Sequence, residues 1–332
     1  MRSKPCPPTG TGERLVHRWF LGEAFRAVKA GIAFEEWAPD VSARATRPPQ
    51  PRELEDAWQL ASGQSVSGEK LTAQKQAKKK KDIEELARYR QGRVLFWEYV
   101  RRGRGFDEAA LQEKSAEFGG RLDWNPGVED SVAFLETVFR PDDLVFLAYK
   151  PLEKGIVGVS IRQRDEWIAE LRNRAAAGLD LPTLAMLNPV SGRAASWRGR
   201  APTTRGKGAV TDYRWVLLEH DKADLATQLE FLAGYFAVHG WERVGAMTHS
   251  GGRSIHVLRR VDARDEAAWE REVVTGIIQP FKFMGGDDHG ANWAEMTRLP
   301  GAVRYPDPAH PNKMPRVPTL QKLLFLNRGG SQ

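Results

Sequence analysis

The chain has 332 residues, enough for one large domain or two modest ones with a buried core in each. Hydrophobic residues make up 41% and charged residues 28%, a balance that is typical of globular proteins and excludes wholesale disorder. The formal net charge of +7 favours a polyanionic partner, nucleic acid first, because neutralising phosphates releases counterions.

The cysteine content and the hydropathy pattern favour a cytoplasmic protein. Cys6 is the only cysteine, so the chain can form neither an internal disulfide nor a four-cysteine zinc site. The first residues have a basic start with no apolar stretch after it, and no run approaches the roughly 20 apolar residues of a membrane span. We therefore expect neither secretion nor membrane insertion.

Residues 1–123 are predicted to form a helical accessory region. Helical patterns separated by a Pro-rich break and a Ser/Gly segment cover Leu15 to Ala30, Arg52 to Ala61 and Glu69 to Arg101. The third helix contains the lysine run Lys78 to Lys81. Such a run can grip nucleic acid or form a solvated helix face, and both interpretations stay open.

Residues 124–332 change to a mixed α/β pattern. It predicts a strand over Leu144 to Tyr149, a helix over Arg162 to Ala177 and a strand over Leu184 to Leu187. A polar loop then follows, and its basic residues are Arg193, Arg198, Arg200, Arg205 and Lys207. A basic loop with glycines is a place for phosphates and equally a plain surface loop.

The clearest pattern covers residues 213–278. In order, it predicts a strand, a helix, two strands joined by a glycine turn and a second helix, over Tyr213 to Glu219, Asp224 to Gly240, Val244 to His249, Ser254 to Val261 and Asp265 to Ile278. With one further strand this order is the β-α-β-β-α-β ferredoxin-like arrangement, which serves polymerase palms and binding modules alike.

The first candidate site lies at the end of the strand WVLLEHDK. Glu219 and Asp221 are two residues apart and so point to one face of the sheet, whereas His220 points to the other. Carboxylates are the hard ligands that Mg²⁺ prefers, and phosphoryl transfer commonly uses two such ions. Acidic residues also end strands where the chain meets solvent, so this tripeptide by itself is weak evidence.

The second candidate site is SGGRSIHV. Ser254 and His256 share one face of a strand, and the Gly251-Gly252 turn allows backbone amides to approach a phosphate. Arg253 adds a permanent charge, and His256 can donate a hydrogen bond to a phosphate oxygen. The alternative is a plain β-hairpin with glycine in its turn and a buried histidine whose hydrogen bonds are satisfied.

The third candidate site follows the glycine pair of FMGGDDHG. Asp287 supplies a third carboxylate next to Asp288, and Arg298 and Arg304 lie downstream. The alternative is a plain turn built from glycine and aspartate. The three sites occur in order, and each interval between them is long enough for one helix and one strand. This joint pattern is more specific evidence for a shared function than any one site by itself.

In this order the motifs resemble the archaeo-eukaryotic primase superfamily, with acidic-x-acidic, then Ser-x-His, then a later acidic residue. The resemblance is closer to primase-polymerases of phages, plasmids and other mobile elements, which have Glu-x-Asp, SGG-[KR]-S-x-H and a distal RLPG-x-x-R. Here these are Glu219 to Asp221, Ser250 to His256 and Arg298 to Arg304. The core resemblance covers about Val210 to Arg304, and weaker similarity at PDDLVF and NPVSG extends it upstream.

The resemblance implies a catalytic core at 124–332, with an RRM-like or ferredoxin-like palm whose motifs lie within 213–304. It implies a DNA-dependent primase-polymerase that starts or extends primers on single-stranded DNA from nucleoside triphosphates. By matched position, Glu219, Asp221 and Asp287 would hold two Mg²⁺ or Mn²⁺ ions and take part in catalysis. Triphosphate contacts would come from Ser254, His256, Arg253, Arg298 and Arg304, and His256 would also take part in catalysis.

Two features depart from relatives of this kind. Motif one has Glu219 where many relatives have Asp, and no zinc knuckle is present. No G-x-x-x-x-G-K-[ST] helicase motif occurs, so we expect a separately encoded helicase as a partner.

Three alternatives remain beside this interpretation. A nucleotide cyclase also uses a GGDD palm, but it would continue into an apolar strand where His289 to Asn292 is turn-like. A catalytically silent nucleic-acid-binding module would keep the fold and the basic surface. A rolling-circle nuclease would need a His-x-His pair and a nucleophilic tyrosine on a helix, and neither is evident.

Overall fold

The computed structural model describes residues 6, 13–49, 52–62, 66–120, 126–149, 157–306 and 315–329. The chain divides into two compact units, residues 1–86 and 87–332. The predicted domain boundary between residues 123 and 124 lies outside the described residues, so the assignment of 124–332 as a catalytic core stays a prediction.

The first unit is helical, as the sequence indicates. Its helices are α1 (Glu13–Lys29), α2 (Phe34–Arg44), α3 (Glu53–Ser62) and the first part of α4 (Val66–Arg102). The sequence does not predict α2, which contains Pro39. Buried apolar residues from α1, α2 and α3 form its core, in which the Trp37 and Trp58 ring centroids are 5.3 Å apart.

The lysine run Lys78 to Lys81 lies within α4, as predicted. Lys78, Lys80 and Lys81 are exposed, and the side chain of Lys79 is outside the described residues. A role of this run in nucleic-acid binding therefore stays a prediction. Across the described ranges, no helix combines the length and the apolar character needed to cross a membrane.

The second unit combines helices with antiparallel sheets, which confirms the predicted α/β class. Its further helices are α5 (Glu108–Glu117), α6 (Val128–Val138), α7 (Arg164–Ala176), α8 (Leu225–His239) and α9 (266–283), whose middle section Trp269–Ile278 is a π-helix. Its strands are β1 (Leu144–Tyr149), β2 (Val157–Gln163), β3 (Leu184–Met186), β4 (Tyr213–Glu219), β5 (Val244–His249), β6 (Ile255–Ala263), β7 (Met296–Arg298), β8 (Val303–Arg304), β9 (Thr319–Leu320) and β10 (Lys322–Leu326).

Two four-stranded sheets and one short ribbon are described. The first sheet has the order β2-β1-β3-β7, the second has β10-β5-β6-β4, and β8 pairs with β9. One buried cluster takes side chains from both large sheets, for example Val145 and Leu147 of β1 with Leu217 of β4. The two sheets therefore share a core.

The predicted β-α-β-β-α frame is present in the second sheet. β4 and β5 each pair antiparallel with β6, so they run parallel to one another with β6 between them. Asp224 caps α8 by accepting a hydrogen bond from the Thr227 N–H at 2.8 Å, and Gly240 ends the helix with φ +91°. The fourth strand is β10, which lies beside β5 and beyond the predicted palm range.

Near the start of β4, the buried side chain of Asn188 binds backbone groups of the strand. Asn188 Oδ1 accepts hydrogen bonds from the N–H groups of Arg214 and Trp215, both at 2.9 Å. Its Nδ2 donates to the carbonyl oxygens of Trp215 and Trp293. Asn188 thus makes hydrogen bonds of the kind that a neighbouring strand would make. These bonds satisfy backbone groups that burial would otherwise leave unpaired.

Candidate active site at the ends of β4 and β6

Glu219 and His256 are register partners on neighbouring strands. Glu219 is the last residue of β4, and its Oε1 lies 3.4 Å from His256 Nε2. Both side chains are largely buried, with 18% and 8% of their surface exposed. The structure thus brings together the first two motifs at one end of the sheet.

A series of polar groups surrounds this pair. His256 Nδ1 lies 3.3 Å from the hydroxyl of Thr297, and the Ser254 and Ser250 hydroxyls are 3.2 Å apart. If Thr297 donates to Nδ1, then Nε2 carries the proton and donates to Glu219, which also accepts from Ser254. His256 of β6 and Ser254, the residue just before β6, therefore both direct donors at one carboxylate.

Glu219 is held as an anion. Burial by itself raises the pKa of Glu219, but hydrogen bonds from His256 and Ser254 and the charge of Arg298 outweigh burial and bring this pKa to about 2. The carboxylate is therefore fully ionised at neutral pH, which is the form that can bind a cation.

Arg298 and Arg304 bring positive charge to Glu219 from other parts of the fold. Burial, together with the charge of Arg304, lowers the pKa of Arg298 to about 10, and burial also lowers the pKa of Arg304. Both remain cations at neutral pH. In the described part of the chain the Arg298 side chain makes no hydrogen bond and no close ion pair, so its guanidinium donors stay available for an anion.

The glycine turn between β5 and β6 packs against Arg304. Gly251 has φ +67°, and a Cβ on Gly252 would lie 2.6 Å from Arg304 Nη1, so a side chain there would displace the guanidinium. Arg304 Nη1 donates to the Ser250 carbonyl oxygen at 3.3 Å. Arg253 in the same turn is exposed and lies 3.8 Å from Asp221 Oδ2, a loose surface pair.

The third motif meets the first through the backbone. The N–H of Asp287 donates to the carbonyl oxygen of Glu219 at 2.8 Å. Gly285, with φ +101°, carries the chain past His220, since a Cβ there would lie 3.0 Å from His220 Nε2. The Asp287 side chain accepts from the N–H of His289, as in a simple aspartate turn.

His220 and Asp288 are sequence neighbours of the motif carboxylates, but their side chains contact other groups. His220 is buried, stacks on Phe96 with 4.8 Å between ring centroids, and lies 3.3 Å from the Met284 carbonyl oxygen. This agrees with its predicted position on the opposite face from Glu219. Asp288 forms an ion pair with Lys282 at 2.7 Å, and this hydrogen bond lowers the pKa of Asp288.

The donor type of the three carboxylates fits a hard divalent cation. Glu219 is ionised, and Asp221 and Asp287 are partly exposed at 37% and 28%. Their side chains, however, are not gathered: within the ranges described, no group of three His, Cys, Asp or Glu residues is placed to hold a metal ion. The predicted ligand set therefore stays a prediction.

Three residues hold site residues in place in ways that the sequence analysis did not predict. Thr297 orients His256, Ser250 bonds to Ser254, and the Gln228 side chain binds the Arg253 carbonyl oxygen and the Ile255 N–H. Gln228 had a visible signal, because it is a glutamine on the otherwise apolar inner face of α8. Thr297 had none, because its contact joins two different sheets.

No family model matches this chain, and no curated protein matches it. Among solved structures, it is similar to the AEP domain of the primase-polymerase of cyanophage S-2L. The sequence identity is 16%, the match covers 61% of this chain and 92% of that domain, and the TM-score is 0.37. At this score and identity, the likeness assigns neither a function nor residue roles to this chain.

Proposed function

We propose that this protein is a metal-dependent nucleotidyltransferase of the primase-polymerase kind. The observation that carries the proposal is the convergence of three distant motifs on Glu219: the His256 ring, the Arg298 charge and the Asp287 backbone N–H all act on this one residue. An ionised carboxylate with the positive charges of Arg298 and Arg304 near it suits a site that binds a metal ion and a triphosphate together.

In this mechanism Glu219, Asp221 and Asp287 would hold divalent cations. Such ions, when bound, lower the pKa of an attacking 3′-hydroxyl and neutralise charge on the α-phosphate. The protein supplies the other half of the site. Arg298, whose guanidinium makes no hydrogen bond within the described residues, would bind the phosphate chain of the incoming nucleotide.

His256 and Ser254 would orient Glu219 and, with Arg253 and Arg304, contact the departing pyrophosphate. Their position supports this role, because both lie within hydrogen-bonding reach of Glu219 and beside the glycine turn. The turn has no side chains at Gly251 and Gly252, so the Arg304 guanidinium packs close to its backbone and could bind a phosphate together with it. We propose single-stranded DNA as template, a separately encoded helicase as partner, and replication of a mobile element as the setting.

A second candidate function is a catalytically silent nucleic-acid-binding module. One specific observation favours it: the side chains of Asp221 and Asp287 are turned toward Arg253 and His289 rather than gathered around Glu219. A cyclase receives less support, since residues His289–Ala291 form a short 3-10 turn instead of an apolar strand and Asp288 is engaged by Lys282.

The deciding experiment incubates the full-length protein with unprimed single-stranded DNA, labelled nucleoside triphosphates and Mg²⁺ or Mn²⁺, and separates the products on a gel. Ladders of extended products support the primase-polymerase. A cyclic dinucleotide would identify a cyclase, and DNA binding without any product would identify the binding module. A parallel reaction with a chelator tests the metal requirement.

A further inference from the structure

The loop that precedes β4 contains a cation that packs against two tryptophan rings. Lys207 Nζ lies 4.0 Å from the ring centroid of Trp293 and 4.6 Å from that of Trp197. Burial lowers the pKa of Lys207, which means that the fold places the charge where water solvates it poorly. In the part of the chain that the structure describes, Lys207 makes no ion pair, and Glu266, which pairs with Arg198 at 2.5 Å, acts on its charge only from a greater distance.

This lysine lines a cavity of about 430 Å³. The wall also includes Trp197, and the exposed Arg200 and Arg205 supply two further cations. Residues 191–211 contain five basic side chains and no acidic one, at Arg193, Arg198, Arg200, Arg205 and Lys207. A cavity with several cations and no carboxylate in its own loop attracts an anion with more than one charged group.

The cavity lies along the edge of β4, away from Glu219. Trp293 donates from Nε1 to the Lys207 carbonyl oxygen and packs edge-on against Tyr213, the first residue of β4. Glu219 is the last residue of this strand, so at about 3.3 Å per residue the two places are about 20 Å apart. Residues 287–293 connect the candidate active site to the cavity. The Asp287 N–H donates to the Glu219 carbonyl oxygen at one end, and the Trp293 carbonyl oxygen accepts from Asn188 Nδ2 at the other.

We infer that the Lys207 cavity binds phosphate groups of a nucleic-acid strand at a second anchor point, about 20 Å from the candidate active site along β4. The inference deepens the proposed function and rests on it for the identity of the strand. Phosphate is the shared chemistry of a strand and of a free nucleotide. Arg193 of the same loop is exposed and is not part of the cavity wall, and this additional cation outside the cavity favours the strand.

The test measures fluorescence anisotropy of a labelled oligo(dT) with full-length wild type, Lys207→Gln and Arg200→Gln, in chelator and without triphosphate. We expect each substitution to weaken binding several-fold. The slope of log affinity against log salt should become shallower by about 0.7 per lost phosphate contact. Lys114→Gln, which removes a lysine from an ion pair with Glu117 on α5, is the matched control and should change neither value.

The outcomes separate the sources of phosphate and the two proposals. Unchanged oligo(dT) affinity and slope in both Lys207→Gln and Arg200→Gln would overturn the inference, as would loss of dTTP binding alone, which would assign the cavity to a free nucleotide. Arg200 is exposed, so Arg200→Gln keeps the test valid if Lys207→Gln unfolds. Binding loss in a protein that makes no product would uphold the anchor while the polymerase proposal fails.

Discussion

Glu219 on β4 and His256 on β6 face each other across the sheet in register, with Oε1 and Nε2 3.4 Å apart. This pair joins a carboxylate and a histidine that the sequence places in separate motifs. The contact gives the histidine a defined partner, which both the catalytic interpretation and a plain hairpin with a satisfied histidine allow, so its role in nucleotide binding stays a prediction.

Asp221→Asn should abolish nucleotide incorporation without unfolding the protein. Its side chain is 37% exposed and has only a loose contact with Arg253, so the fold does not depend on its charge. Because a ligand would be lost, we expect at least about a hundredfold lower rate in a primer-extension assay. Asp262→Asn, an exposed carboxylate on β6, is the control. Wild-type turnover in Asp221→Asn would remove this residue from the site.

His256→Ala should act mainly on the affinity for nucleoside triphosphate. A hydrogen bond to a charged group is worth about 1.5–3 kcal/mol, so KM should rise about ten- to a hundredfold in steady-state assays. Thr297→Val removes the hydroxyl next to Nδ1 but keeps the ring, and we expect a smaller rise. Unchanged KM and kcat in His256→Ala would restrict the histidine to a packing role.

Asp287→Ala should lose metal-dependent incorporation, whereas Asp288→Ala should keep most of it. The backbone of Asp287 is bonded to Glu219, while Asp288 is turned to Lys282 in a surface ion pair worth at most about 1 kcal/mol. Incorporation rates of the two variants under matched metal concentrations provide the measurement. Equal loss in both variants would favour a palm that uses the acidic pair, and loss only in Asp288→Ala would move the motif by one residue.

Asp130→Asn should stabilise the protein at neutral pH and have no effect in acid. Burial raises the pKa of Asp130 from 3.8 to about 6, so the folded state favours the protonated form. Stability from this group is therefore present below pH 4 and is lost as pH rises through 6, by up to about 3 kcal/mol. Denaturant unfolding at pH 4 and pH 8 measures the difference. An equal gain at both pH values would contradict the assigned cause.

Asn188→Ala should be among the most destabilising single changes in residues 87–332. The substitution leaves backbone groups of Trp215 and Trp293 buried without partners, each at a cost of about 1–3 kcal/mol. Equilibrium unfolding in urea measures the loss. Asn188→Asp keeps the acceptor but loses the Nδ2 donors, so this variant should retain only part of the stability that Asn188→Ala loses. A loss below about 1 kcal/mol in Asn188→Ala would show that water replaces the amide.

The local pattern of the chain was sufficient to predict most elements of the second sheet. β4 and β5 have the predicted bounds, and α8 begins after Asp224 and ends before Gly240 as expected. These features depend on residues close in sequence: apolar alternation, a capping carboxylate and a terminal glycine. For the same reason the common face of Ser254 and His256, and the opposite face of His220, could be predicted.

The sequence did not predict the weak strands β7 to β10, because two- to five-residue strands carry little periodicity and form only against partners distant in the chain.

By itself, the sequence determined the α/β class, the positive charge and the order of the three motifs, because these depend on residue type and local spacing. Only the tertiary structure decided which residues meet. Pairing of β4 with β6 places Glu219 beside His256, pairing of β3 with β7 places Arg298 near them, and no local pattern contains these contacts. The burial that lowers the pKa of Arg298 and of Lys207 likewise arises from packing between distant segments.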